Sequence, residues 1–105
     1  MYNETIYLAR EVEGEEVDEY GDPVIKLEKE ELFAEQKSIG QKEFYQAQTE
    51  GEKPEIKFVI PDYLDYNDQQ IVIHEGVRYK VLRTYRNTKN ELEITCYGGV
   101  RDVSA

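Results

Sequence analysis

The sequence predicts a mainly β protein, a small antiparallel β-barrel or sandwich of six to seven strands with one short helix. Three observations carry this. Apolar residues alternate with polar ones in several short runs, as in Thr5-Ile6-Tyr7-Leu8-Ala9-Arg10 and Glu55-Ile56-Lys57-Phe58-Val59-Ile60, the period-two signature of half-buried strands. Turn signals separate the runs at Glu75-Gly76 and Asn87-Thr88-Lys89-Asn90, which suits hairpins. One segment alone reads as a helix, so the βαβ spacing of a parallel sheet is missing.

Residues 5–10 form the first strand, with Ile6 and Leu8 on its inner side. Residues 11–23 carry seven acids and no base, punctuated by Gly14, Gly21 and Pro23. Self-repulsion and low apolarity predict an acidic mobile loop there. From Val24 to Ser38 the pattern is strand-like again, but its phase breaks across Glu28-Lys29-Glu30-Glu31. Two short strands or one long bulged strand fit equally. Ser38 and Gln41 stand at capping-box spacing ahead of Lys42-Glu43-Phe44-Tyr45-Gln46-Ala47-Gln48, with Gly51 beyond, which predicts the short helix. Pro54 then restarts an extended segment in which Ile56, Phe58 and Ile60 share a face.

Residues 70–85 read as a hairpin whose turn follows from register. A two-residue loop at Glu75-Gly76 opposes Ile73 to Arg78 and Ile71 to Lys80. A three-residue loop, His74-Glu75-Gly76, opposes Ile73 to Val77 and Ile71 to Tyr79, and is preferred because it keeps one apolar face. Val77, Tyr79, Val81, Arg83 and Tyr85 then form one inward row. A four-residue turn at Asn87–Asn90 faces Arg86 with Glu91, Thr84 with Glu93 and Tyr85 with Leu92.

At 105 residues the chain is read as a single domain, 1–105, with one core. No apolar run approaches the roughly 20 residues of a membrane helix, and the N-terminal residues lack signal-peptide character. Cys96 is the only cysteine, so no intrachain disulfide can form, which suits a reducing cytoplasm. The net charge is −10, and residues 11–35 hold eleven acids against Lys26 and Lys29. Such a segment repels phosphate backbones, and the basic stripe of a nucleic-acid reader is missing.

The residues that could carry chemistry do not form a familiar constellation. His74 is the only histidine, placed in a turn, while Cys96 reads as a strand position facing the core. Asp62, Asp65 and Asp68 lack calcium-loop spacing and read as a solvated turn. Phosphate loops, paired CxxC and HExxH are all missing. The sequence therefore predicts no enzyme, cofactor, metal or small-molecule substrate, and a function exercised through surfaces. Arg83, in an otherwise apolar row, either pairs with a buried acid or marks an interface. Tyr79 and Tyr85 read as core; Tyr45 and Tyr97 are candidates for a partner surface.

The runs Leu32-Phe33-Ala34-Glu35-Gln36-Lys37-Ser38, Glu43-Phe44-Tyr45-Gln46-Ala47 and Lys53-Pro54-Glu55-Ile56-Lys57-Phe58 resemble the central part of phage head-tail joining proteins, also called head closure, stopper or head-tail adaptor proteins. The resemblance continues through Asp65-Tyr66-Asn67, His74-Glu75-Gly76-Val77-Arg78-Tyr79-Lys80-Val81, Arg83-Thr84-Tyr85 and Leu92-Glu93-Ile94-Thr95. It spans about residues 30–97, and its order and spacing are more specific than any one motif. The turn expected as Asn-Gly reads Glu75-Gly76, and residues 11–22 do not align.

The resemblance implies a small antiparallel barrel that forms a homo-oligomeric ring under the portal of a tailed phage or prophage and joins capsid to tail. Its implied partners are portal or connector ring proteins and tail proteins, with DNA only passing through the channel and no membrane. Its implied place is the virion head-tail connector, assembled in the bacterial host cytoplasm. The candidate partner-binding residues are Glu13, Glu15, Glu16, Asp18, Glu19, Phe44, Tyr45, Arg83 and Tyr97. If the acidic loop lined the channel, its carboxylates would keep DNA off the wall; the other reading is a solvated insertion that orders on meeting the portal. A small β-barrel protein-binding module and an acidic DNA-mimic inhibitor are the alternatives.

Overall fold

A computed structural model describes residues 2–42, 45 and 53–101. Its six strands are β1 (Glu4–Val17), β2 (Pro23–Lys37), β3 (Pro54–Ile60), β4 (Ile71–His74), β5 (Val77–Arg86) and β6 (Leu92–Arg101). They close in the order β1-β2-β3-β6-β5-β4, and every neighbouring pair is antiparallel. The predicted mainly β, antiparallel barrel is therefore the observed class. Gln41, Lys42 and Tyr45 are helical; the rest of the expected helix, Phe44 included, lies outside the described residues. A single 3₁₀ turn, Tyr63–Asp65, follows Asp62, whose carboxylate accepts from the Leu64 amide at 2.9 Å.

The inward rows are those that alternation selects. Ile6 and Leu8 from β1, Ala34 from β2, Ile56, Phe58 and Ile60 from β3, Val72 from β4, and Leu92, Ile94 and Cys96 from β6 are all buried in one cluster. Leu32, Tyr63, Tyr66, Tyr79 and Val81 pack against it. Residues of one strand face share a core only while the pleat is unbroken. Two hairpins depart from the expected register for that reason.

In the β4–β5 hairpin, Val72 lies opposite Tyr79 and His74 opposite Val77. The turn is thus the two-residue Glu75-Gly76, with φ of 49° and 76°, the left-handed pair that matches strand twist. The three-residue loop fails because Ile71 and Ile73 are not the inward row. Val72 and His74 are, and the His74 ring lies 4.9 Å from that of Phe58. His74 consequently ends β4 instead of sitting in the turn.

In the β5–β6 hairpin, Arg86 lies opposite Leu92, Tyr85 opposite Glu93 and Thr84 opposite Ile94, so the loop has one more residue than expected. The register then shifts between Val81, opposite Cys96, and Arg83, opposite Thr95. Leu82 is the extra residue, a bulge that reverses which side chains point inward. Arg83 and Tyr85 therefore leave the row begun by Val77, Tyr79 and Val81. Tyr85 is 61% exposed and not core, and Arg83 is half-buried on the outer side. A second shift sets Gly98 and Gly99 against Tyr79. A Cβ on Gly99 would come within 2.7 Å of the Tyr79 ring, so only glycine fits there.

The largest correction concerns residues 11–23. Only residues 18–22 form a turn: β1 continues to Val17 and β2 begins at Pro23. Pairing runs without a break from Glu4 opposite Ala34 to Glu13 opposite Ile25, and then slips once before Val17 meets Pro23. Val24–Ser38 is accordingly one strand, ending at Lys37, and its irregularity lies at the far end of the hairpin. Charge repulsion did not prevent pairing because charged residues of the two strands face apolar or oppositely charged partners: Glu11 opposes Leu27, Glu13 opposes Ile25 and Arg10 opposes Glu28.

Only Tyr7–Ala9 of β1 pair with β4, and only Glu35–Lys37 of β2 pair with β3. Residues 10–29 thus leave the barrel as a two-stranded arm, which accounts for the elongated 48 × 29 × 21 Å envelope.

The division between barrel and arm makes a stability prediction. Phe58→Ala should cost about 3–5 kcal/mol in urea unfolding, whereas Ile25→Ala, 56% exposed on the arm, should change stability by less than about 0.5 kcal/mol. Equal losses would show that the arm is part of the cooperative core.

Candidate interaction surface

The arm is built from local chemistry at its tip and its root. At the tip, the Asp18 carboxylate accepts from the Tyr20 and Asp22 amides at 2.9 and 3.0 Å. The backbone closes with the Asp18 amide on the Asp22 carbonyl and the Gly21 amide on the Asp18 carbonyl. Gly21 takes φ 83°, open to glycine without strain. At the root, the Arg10 guanidinium donates to the Asn67 carbonyl at 2.9 Å and lies 3.8 Å from the Glu28 carboxylate. The Tyr7 hydroxyl donates to Glu31 at 3.1 Å, and that carboxylate raises the phenol's pKa.

This arrangement gathers five of the candidate residues. Glu13, Glu15 and Glu16 lie on β1 and Asp18 and Glu19 in the turn, all exposed. Tyr45 is exposed beside the helical Gln41 and Lys42; nothing is described for Phe44. Arg83 and Tyr97 are not brought to the arm. They lie in the barrel wall, opposite Thr95 and Lys80 respectively. Sequence reasoning missed the apolar members of the surface: Tyr20 is 81% exposed, Phe33 62% and Ile25 56%. The strand-like pattern of Val24–Ser38 contains Ile25 and Phe33, but such a pattern does not reveal which face of a strand has something packed on it.

Residues with catalytic or ligating chemistry are separately accounted for. The buried His74 imidazole lies 3.0 Å from the Glu4 carboxylate and 3.9 Å from that of Glu75. These three form a grouping whose ligand atoms fall within 4.8 Å. Glu4 shares the inward side of β1 with Ile6 and Leu8, so its bond to His74 satisfies a polar ring at the end of an apolar barrel. Glu75 belongs to the exposed turn. Among the described residues, no buried side-chain nitrogen or oxygen lacks a hydrogen-bond partner. Cys96 is fully buried, and burial pushes its thiol up to about 12, far from the thiolate a nucleophile requires. Tyr66, whose hydroxyl donates to the Gln69 carbonyl at 2.6 Å, is also raised by burial to about 12. The aspartates around it serve as turn groups, Asp62 as the 3₁₀ cap.

A cleft of about 680 Å³ opens beside the arm root. Its wall mixes Arg10, Arg78 and Lys80 with Glu11 and Asp68, so charge of neither sign dominates. Compared with known proteins, the chain matches no family model and no curated relative.

The buried Cys96 thiol and the half-buried Tyr66 phenol set an alkaline limit. Their folded pKa values exceed those of the unfolded chain, near 9 for Cys96 and 10 for Tyr66. Above pH 9 the unfolded state therefore loses protons that the folded state keeps, and stability falls as pH rises towards 12. Urea midpoints measured from pH 8 to 11 should decline, and Cys96→Ala should decline less relative to its own pH 8 value. An identical slope in both proteins would contradict the burial of the thiol.

Proposed function

We propose that the chain is a structural head-tail connector subunit of a tailed phage or prophage. In this reading it forms a ring under the portal and joins capsid to tail. The observation that carries the reading is the ordered run of motifs across residues 30–97, several members of which lie on strands of a closed antiparallel barrel of the kind the resemblance implies. Leu32–Lys37 is the barrel end of β2, Pro54–Phe58 opens β3, His74–Val81 spans the β4–β5 hairpin and Leu92–Thr95 opens β6.

The distribution of side chains supports a surface function. The barrel interior is filled by aliphatic and aromatic groups, while acids and exposed apolar residues occupy the arm. In a ring each subunit repeats its contacts, so weak interfaces are multiplied by symmetry and by attachment to a pre-formed partner ring. The partner-binding group proposed here is Glu13, Glu15, Glu16, Asp18 and Glu19 on the arm, with Tyr45, Arg83 and Tyr97 on the barrel side.

One feature favours a second reading, an acidic DNA mimic. The ribbon holds Glu11 and Glu13 on one face, about 6.8 Å apart from the strand rise. A salt-sensitive complex with a DNA-binding protein would support that reading.

The connector reading is tested by mixing the purified chain with its portal ring and imaging the mixture by electron microscopy. A ring of added density on one face of the portal is expected. Free portals beside unassembled chain, at concentrations well above those of assembly, would overturn it.

A further inference from the structure

The barrel has no sheet edge, but the arm has two. Among the described residues, no strand but β1 pairs with β2 before Glu35. Pro61 follows Ile60 at the end of β3 and has no N–H with which to continue the ladder. The slip in the β1–β2 ladder falls beyond Glu13, so the β2 edge is regular where the β1 edge is not. Unpaired, regular edges are templates for another strand.

The sequence along this edge specifies its occupant. Opposed residues in antiparallel strands point to the same face, so a twofold pairing of β2 with itself must centre on a single residue. Centring on Lys26, Glu28, Lys29, Glu30 or Glu31 sets a charge against its own copy. Centring on Leu27 does not. It opposes Leu27 to Leu27, Lys26 to Glu28 twice and Ile25 to Lys29 twice, with Val24 opposite Glu30. No like charges meet across residues 23–31, and the antiparallel direction sends the two acidic tips to opposite ends.

We infer that the β2 edge of the arm is a docking surface for a second copy of this chain, paired antiparallel about a twofold axis at Leu27. The four-stranded sheet β1-β2-β2-β1 that results covers the exposed Ile25. It also brings each arm tip, with its Tyr20, level with the exposed Phe33 of the other copy. The charges on the edge thus act in two ways: they disfavour registers centred on a charged residue and hold this one. This inference is about the free chain and does not rest on the connector reading.

The register has a specific test. In Lys26→Glu both cross-copy pairs become Glu against Glu, and in Glu28→Lys both become Lys against Lys. Either variant alone should dimerise at least about tenfold more weakly than wild type in sedimentation equilibrium, with the barrel's circular dichroism unchanged. An equimolar mixture of the two should recover wild-type affinity, because the mixed dimer restores both opposite-charge pairs. As a readout free of charge changes, Leu27→Cys should form a disulfide-linked dimer on mild oxidation, and Val24→Cys should not. A wild-type chain monomeric up to its solubility limit would overturn the inference. So would a dimer indifferent to the single changes, or single variants whose mixture stays dissociated.

Discussion

Three residue pairs close this structure: Tyr7 with Ile73, Leu8 with Val72 and Ala9 with Ile71. Without them β1 and β4 would be the outer edges of an open, twisted sheet. Their register turns Leu8 and Val72 to the same interior, and every other strand has to agree with that choice. Val72 inward requires His74 inward, which places the turn at Glu75-Gly76 and puts Tyr79 across from Val72. Tyr79 inward in turn leaves no room for a side chain at Gly99. The His74–Glu4 bond closes the same end of the seam, and the Arg10 contact with Asn67 holds the other.

Closure is also why the barrel and the arm differ so much in character. Inside the closed ring each strand has two neighbours and an apolar side to bury, so burial holds it. Between Ala9 and Glu30 the hairpin has neither. It persists by its own ladder, its Asp18 turn and pairs such as Arg10 with Glu28. Its side chains are therefore free to be selected for what they meet outside the molecule. The connector reading and the edge-pairing inference both draw on that freedom, the first through the acids and the second through the backbone edge.

Legibility in the sequence followed the same division. β3 was readable in full because Ile56, Phe58 and Ile60 alternate without interruption and all face the core. The six-strand, antiparallel class was readable because turn signals separate the apolar runs. Arg83 and Tyr85 were misplaced because a bulge at Leu82 reverses the pleat, and no residue type announces a bulge there. The β4–β5 turn was misread because Ile71 and Ile73 are more apolar than Val72 and His74, although the latter pair faces inward. The arm was missed since charge density suggests disorder when cross-strand partners are unknown. Glu13 opposite Ile25 becomes visible only with the register. Of the candidate site, the acids were therefore identified and their scaffold was not.

On the proposed function, the barrel holds the fold while the arm makes the contacts. Glu11 and Leu27 lie directly opposite one another, so an Asn-Gly turn can join them and remove residues 12–26 without disturbing β1–β4 closure. Binding of this shortened chain to the portal ring, measured beside its melting temperature, tests the claim most directly. The account predicts a folded barrel that no longer joins the ring. A shortened chain that unfolds, or one that still joins the ring as the full chain does, would contradict it.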